Sequence, residues 1–178
     1  EYLVMADKLA HFERPRIDQT EFPKYTKLFS DVGGYMGIGV AYRKGDPGPY
    51  EFNHFWAYSL TVAPALRVTE HFHFNPVRAF TITNAVLMLV ALWVVLKRLH
   101  WAATLMVFAG PAIWWVDKTH SEVFTFSLIA MALALMRDKP IGAMLLAGCA
   151  AAHNFPIGAL VAGIALFTSL LTLANSRL

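Results

Sequence analysis

Cysteine is almost missing from this 178-residue chain, Cys149 being the single one. That excludes an internal disulfide framework and every multi-cysteine metal knuckle. Cys149 lies in an apolar run of Ala and Gly, where small-residue packing is the expected role, so the redox compartment is not legible. Charge is scarce as well, at 15% Asp, Glu, Lys and Arg, against roughly 25% in an average soluble domain. The scarcity is uneven: residues 1–78 hold 18 charged residues and residues 79–178 hold nine. A sizeable soluble enzyme core is therefore not the expected product. The basic residues form no stripe, and the net charge of +3 and pI near 9.1 arise from short pairs set between apolar runs. Nucleic acid is thus not an expected partner, and membrane topology accounts for the pairs better. The chain opens Glu1-Tyr2-Leu3 with no initiator Met, basic n-region or cleavage site. The expectation is a piece of a longer chain, preceded by at least one membrane helix.

What is abundant is apolar sequence, 57% of residues with mean hydropathy +0.47. Apolar stretches run about 77–96, 101–116, 121–136, 140–153 and 155–175, each ended by charge, Pro or His. A full crossing needs roughly 20 residues, so the first and last qualify alone and the middle three are short. Lys97-Arg98, Arg137-Asp138-Lys139 and Arg177 occupy alternate connectors, as cytoplasmic loops require under the positive-inside rule. The connectors Asp117–Glu122 and His153-Asn154 then face outside, as do residues 1–75. The expected fold is all-α, a polytopic membrane helix bundle of five spans with an extracytoplasmic segment of amphipathic helices and loop. Trp114 and Trp115 fall where an outer aromatic belt belongs.

In the outer segment, Tyr2, Met5, Leu9 and Phe12 recur at helical spacing, predicting an amphipathic helix that ends before Pro15. Residues 14–53 are rich in Gly, Pro, Tyr and Phe, which fits an aromatic-pinned loop better than a disordered linker. From His54 to Val68 the chain is apolar and aromatic again, and reads as an interfacial or re-entrant helix.

Several residues here can carry chemistry. Among the outer acids, Asp31 in Ser30-Asp31-Val32-Gly33-Gly34-Tyr35 is the best-placed general base, since glycines permit close backbone approach; a helix or turn cap is the plainer role. The run Asp117-Lys118-Thr119-His120-Ser121-Glu122 leads an acid into an apolar helix, where an ionised carboxylate needs a partner or water. These residues suit a sugar, phosphate or divalent cation, and equally an acidic helix start. His153-Asn154 before Phe155-Pro156 can contact a lipid phosphate or sugar hydroxyls, or simply turn between helices. His54, beside Phe55 and Trp56, suits sugar stacking or interface anchoring. His71 and His73 form a weak metal-pair signal without cysteine nearby.

Three segments together carry a resemblance. Glu1-Tyr2-Leu3-Val4-Met5-Ala6-Asp7-Lys8-Leu9-Ala10, then His54-Phe55-Trp56-Ala57-Tyr58-Ser59-Leu60 with Ala63-Pro64, then His120-Ser121-Glu122-Val123-Phe124 resemble the membrane-embedded GT-C class glycosyltransferases that use polyprenyl-phosphate sugars. The resemblance spans residues 1 to about 157. It implies transfer of a hexose or pentose from a lipid-linked donor to a glycan, lipid or protein acceptor at the extracytoplasmic face. It implies an outer-loop acid as base or metal-associated acid, with Glu1 in that position and the principal Asp expected just upstream of it, and Asp31 as second acid. By the same resemblance Asp117, His120 and Glu122 lie beside the active site and hold donor phosphate, metal or acceptor, with a divalent cation, Mg or Mn, assisting; His54, Lys118, His153 and Asn154 are expected with them as substrate-binding residues, the last two without an assigned role. No nucleotide or redox cofactor is expected. The competing expectation is a transporter or channel subunit with an ionisable path through His120 and Glu122, which the few polar interruptions of the spans, Thr83 and Asn84 among them, do not favour.

Overall fold

The computed structural model describes residues 1–31, 49–52, 55–154 and 156. It is mostly helical, with helices α1 (Tyr2–Ala10), α2 (Phe22–Asp31), α3 (Ala57–His71), α4 (Arg78–Arg98), α5 (Trp101–Phe108), α6 (Glu122–Leu135) and α7 (Pro140–His153). Two two-residue strands, β1 (Arg16–Ile17) and β2 (Tyr50–Glu51), pair antiparallel with Ile17 opposite Tyr50. Apart from residue 156, the expected run at 155–175 lies outside the described residues, as do His54, Gly33 and Gly34.

α1 and α3 are parallel neighbours. The Ser59 hydroxyl donates to the Tyr2 carbonyl at 3.1 Å near their starts, and His11 meets Glu70 near their ends. Both helices close alike. Glu13 N–H returns to Lys8 O and Phe12 N–H to Leu9 O; Phe74 N–H returns to Thr69 O and His73 N–H to Glu70 O. This two-bond closure puts the residue after the cap in the left-handed region, usually a glycine. Here Phe12 (φ 60°) and His73 (φ 54°) occupy it. Phe12 is consequently turned away, 95% exposed, and is not the fourth member of the apolar face that its spacing suggested. α1 is also less amphipathic than expected, because Leu3, Val4, Met5 and Ala6 are all buried. Leu3 and Ala6 face α3 and α4, while Val4 faces Ile17, Tyr25 and Tyr50 of the β1–α2–β2 layer.

α3 is a packed helix between α1 and α4. Tyr58, Val62 and Leu66 are buried in a core shared with Phe80 of α4, Phe124 and Leu128 of α6 and Ala150 of α7. That core draws on residues from both sides of position 75, so the N-terminal helices pack directly on the apolar helices. α6 and α7 form an antiparallel hairpin in which Ala143 and Ala147 lie against Ala132, small side chains that let the backbones approach closely.

α4 is the one described helix long and apolar enough to cross a membrane; its 21 residues extend about 31 Å. α6 and α7 are shorter apolar helices. Residues 101–116 do not form one run. α5 stops at Phe108, and a 3-10 turn, Pro111–Trp115, follows Gly110, because Pro111 has no N–H to continue an α-helix. At the far end, the Arg98 guanidinium pairs with Asp138, which brings the connectors holding Lys97-Arg98 and Arg137-Asp138-Lys139 together.

Candidate functional site at one end of the bundle

The starts of α1, α3, α4 and α6 and the finish of α7 meet at one end, and an aromatic–imidazole cluster fills the junction. The Tyr2 hydroxyl lies 3.3 Å from Ser121 Oγ and 3.2 Å from His153 Nε2. The Tyr2 and His153 rings stack with centroids 5.6 Å apart, and Tyr58 meets Tyr2 edge-on at 5.3 Å. Phe124 closes the other side of His153 at 5.5 Å. Beneath them the Tyr58 hydroxyl donates to Asn84 Oδ1 at 2.9 Å. The Asn84 amide in turn donates to the Val116 and Lys118 carbonyls at 3.2 and 3.0 Å. A buried amide that satisfies three polar groups fixes the 116–122 loop over the helix ends.

This arrangement brings together several of the expected site residues. His153 is at its centre. Ser121, at the N-cap of α6, spends its hydroxyl on Tyr2 rather than on the cap. Glu122 opens α6, where the helix dipole favours an acid, and is half-exposed with His120 Nδ1 3.7 Å away. The carboxylate is thus at the mouth of the bundle and not sealed in apolar surroundings. His120 also lies edge-on to Trp115 at 5.5 Å. Asp117 and Lys118 pair with each other at 3.2 Å on the exposed rim. Glu1 is the N-cap of α1, immediately before Tyr2. Burial pushes the Tyr2 hydroxyl above its ordinary pKa, and the carboxylates of Glu1 and Glu122 add to the shift while the Ser121 hydrogen bond opposes it. Tyr2 therefore stays protonated and can donate to an anionic oxygen.

Asp31 is not brought to this cluster by any contact with a described residue. It is the exposed last residue of α2, where the helix dipole disfavours an acid. Asn154 caps α7 and is exposed. It lines, with Glu122, Phe126, Ile129, Leu133 and Val95, an open apolar groove of about 500 Å³ along α6. His71 and His73 join no group of metal-ligating residues among those described.

A second polar cluster lies at the opposite ends of α1 and α3. Asp7, nearly buried, accepts from Lys24 Nζ at 2.9 Å and from the Tyr25 hydroxyl at 2.8 Å. Burial first, and then the Asp7 carboxylate, push Tyr25 far above its ordinary pKa. Lys8 pairs with Glu13 at 2.9 Å and with Glu21. Asp7, His11 and Glu70 each offer a ligand atom, all within 4.8 Å of one another.

Tyr2, Tyr58 and Asn84 were not among the expected site residues, nor were His11 and Glu70. The lone Asn84 in an apolar helix was the available signal for the first group, since polar residues in such helices need partners. The Asp7-x-x-x-His11 spacing, one helical turn, was the signal for the second. No protein-family model matches the chain, and neither a curated protein nor a solved structure matches it.

Proposed function

We propose that this chain is part of a multi-pass membrane glycosyltransferase that moves a sugar from a polyprenyl-phosphate donor to an acceptor hydroxyl at the extracytoplasmic face. The observation that carries the reading is the meeting of Glu1, Tyr2, Ser121, Glu122 and His153 at one end of the bundle, drawn from three segments far apart in sequence. Two of those segments are ones on which the resemblance to the GT-C class rests.

The outer surfaces of the apolar helices support a lipid setting. Leu89 and Trp93 on α4 are 62% and 63% exposed, and Ile141, Met144 and Leu145 on α7 exceed two-thirds. Only 33% of the apolar window of α4 is buried, whereas the core helix of a soluble protein of this hydropathy would be mostly covered. A length of about 31 Å matches the roughly 30 Å hydrocarbon core. The Arg98–Asp138 end, carrying four basic residues, then faces the cytoplasm by the positive-inside rule, and the Tyr2–His153 end faces outward.

In the proposed reaction a carboxylate, Glu1 or an acid near it, takes the proton of the acceptor hydroxyl. The acceptor oxygen forms a bond to the anomeric carbon while the bond from that carbon to the donor phosphate oxygen breaks, releasing polyprenyl phosphate. Tyr2, Ser121, His120 and Lys118 are the donors near this end that would have to exchange their present partners for the leaving phosphate, Glu122 suits sugar hydroxyls, and the apolar groove running from Glu122 along α6 suits the prenyl chain. Asp31 and His54 remain assigned on sequence grounds alone. The test is transfer of radiolabelled sugar from a panel of polyprenyl-phosphate donors by membranes expressing the intact protein. Transfer above empty-vector membranes is expected, and its absence across the panel, with the protein present in the membrane, rejects the reading.

A further inference from the structure

We propose that Asp7, His11 and Glu70 form a zinc-class divalent cation site that ties the finish of α1 to the finish of α3. The argument begins with the imidazole. His11 Nδ1 lies 2.8 Å from the Asp7 backbone carbonyl, which can only accept, so Nδ1 carries the proton. This is the backbone contact that commonly fixes the tautomer of a metal-binding histidine. It leaves Nε2 as the free ligand atom, turned toward Glu70 Oε2 at 3.8 Å. That separation is too long for a hydrogen bond. It is close to the edge of a tetrahedron around zinc, about 3.4 Å for metal–ligand bonds near 2.0–2.1 Å.

The carboxylates are prepared in the same way. Asp7 Oδ2 is committed to Lys24 and Tyr25, so Oδ1, 3.5 Å from His11 Nδ1, is the oxygen left for an ion, and the ligand atoms of the three residues lie within 4.8 Å of one another. Glu70 has Arg67 at 3.9 Å on its own helix, a long and exposed pair that leaves its oxygens available. Among the described residues, Lys24 and Arg67 are the cations paired with the carboxylates of the cluster, and both are more than half exposed, so they can withdraw from an incoming ion. The carbonyl ends of two parallel helices converge here, adding negative potential from both dipoles. One imidazole with two carboxylates suits zinc rather than magnesium or calcium, which prefer all-oxygen shells. Three protein ligands leave one position for solvent. The site is five to nine residues along α1 from Tyr2, about 8–14 Å, so the ion is separate from the transfer site.

The test strips the protein in detergent with a chelator and titrates zinc against a chromophoric competitor, with cobalt substitution as a spectroscopic check. One zinc per chain is expected, with the intense visible bands of four-coordinate cobalt. His11→Ala and Glu70→Gln are each expected to weaken zinc by about 100-fold or more, and Tyr25→Phe, which frees an outer partner of Asp7, by about tenfold. His11 is 38% exposed at a helix end, so its loss should leave helix content unchanged by circular dichroism. Zinc affinity equal in wild type and in these variants overturns the site, as does cobalt with only weak octahedral bands. Sugar transfer is not measured, so the site stands or falls apart from the function proposed above.

Discussion

The N-terminal helices and the apolar helices obey opposite rules within one packed body. In α1 to α3 most large apolar side chains point inward, Leu3, Val4 and Met5 of α1, Tyr25 of α2 and Tyr58, Val62 and Leu66 of α3 among them, although Leu60 and Val68 of α3 are exposed; charged residues are tied in pairs, Asp7 with Lys24 and Lys8 with Glu13 and Glu21. In α4 to α7 the interior mixes small and aromatic residues, Ala91, Phe80, Phe124, Ala147 and Ala150, with Val95, Val123, Leu128 and Met131, while Leu89, Trp93, Ile141 and Met144 point out. The hydrophobic effect organises the first region alone. The second gains nothing from hiding leucine if its surroundings are hydrocarbon, and its contacts are then set by close approach and by buried polar links such as Tyr58–Asn84.

The contrast can be broken most severely at its shared core. Tyr58→Ala removes a fully buried ring and the donor to Asn84, and should cost about 3–5 kcal/mol, whereas Trp93→Ala on the outer face should stay within about 0.5 kcal/mol; thermal unfolding of both in detergent measures the difference. Leu89→Arg separates lipid from water around α4. A charge at mid-helix in lipid should cost about 2.5–3.5 kcal/mol of insertion, read from the membrane-inserted fraction, while unchanged insertion would place that face in water.

A smaller effect belongs to the first region's buried tyrosine. Because the folded state raises the Tyr25 pKa, its contribution is intact below the unfolded value of about 10. Above that pH the unfolded chain releases a proton that the folded chain keeps, so stability should fall with rising pH by about 1.4 kcal/mol per unit. Tyr25→Phe should flatten the alkaline slope by one proton in unfolding curves recorded across that range. A modest effect of opposite sign should come from Phe12→Gly. The left-handed backbone at this exposed residue suits glycine, so stability should rise by about 1 kcal/mol, seen as a higher midpoint of unfolding.

Much of the second region was legible in the sequence because charge, Pro and Gly punctuate it. Lys97-Arg98, Arg137–Lys139 and Pro140 delimit α4, α6 and α7 to within a residue or two. The break at Gly110-Pro111 was written there too, but an apolar run of the right length obscured it. The first region was less legible, since helical spacing cannot tell that Phe12 falls past a left-handed cap. The site was readable only in halves. Local composition drew attention to His120–Glu122 and to His153, yet the Tyr2–His153 contact joins residues 151 apart, and no local pattern encodes such a meeting. Glu70 is also remote in sequence from Asp7 and His11, and it becomes a partner only through the parallel packing of α1 on α3.

The most direct measurement is sugar transfer from a polyprenyl-phosphate donor by the wild type, by Glu1→Gln and Glu122→Gln at the outer end, and by Asp138→Asn at the opposite end as control. The expected result is transfer by the wild type and the control, with losses of about 100-fold or more in each outer variant at unchanged thermal stability. Equal transfer by all four proteins, or none by the wild type, would contradict the assignment of this end of the bundle as the site of sugar transfer.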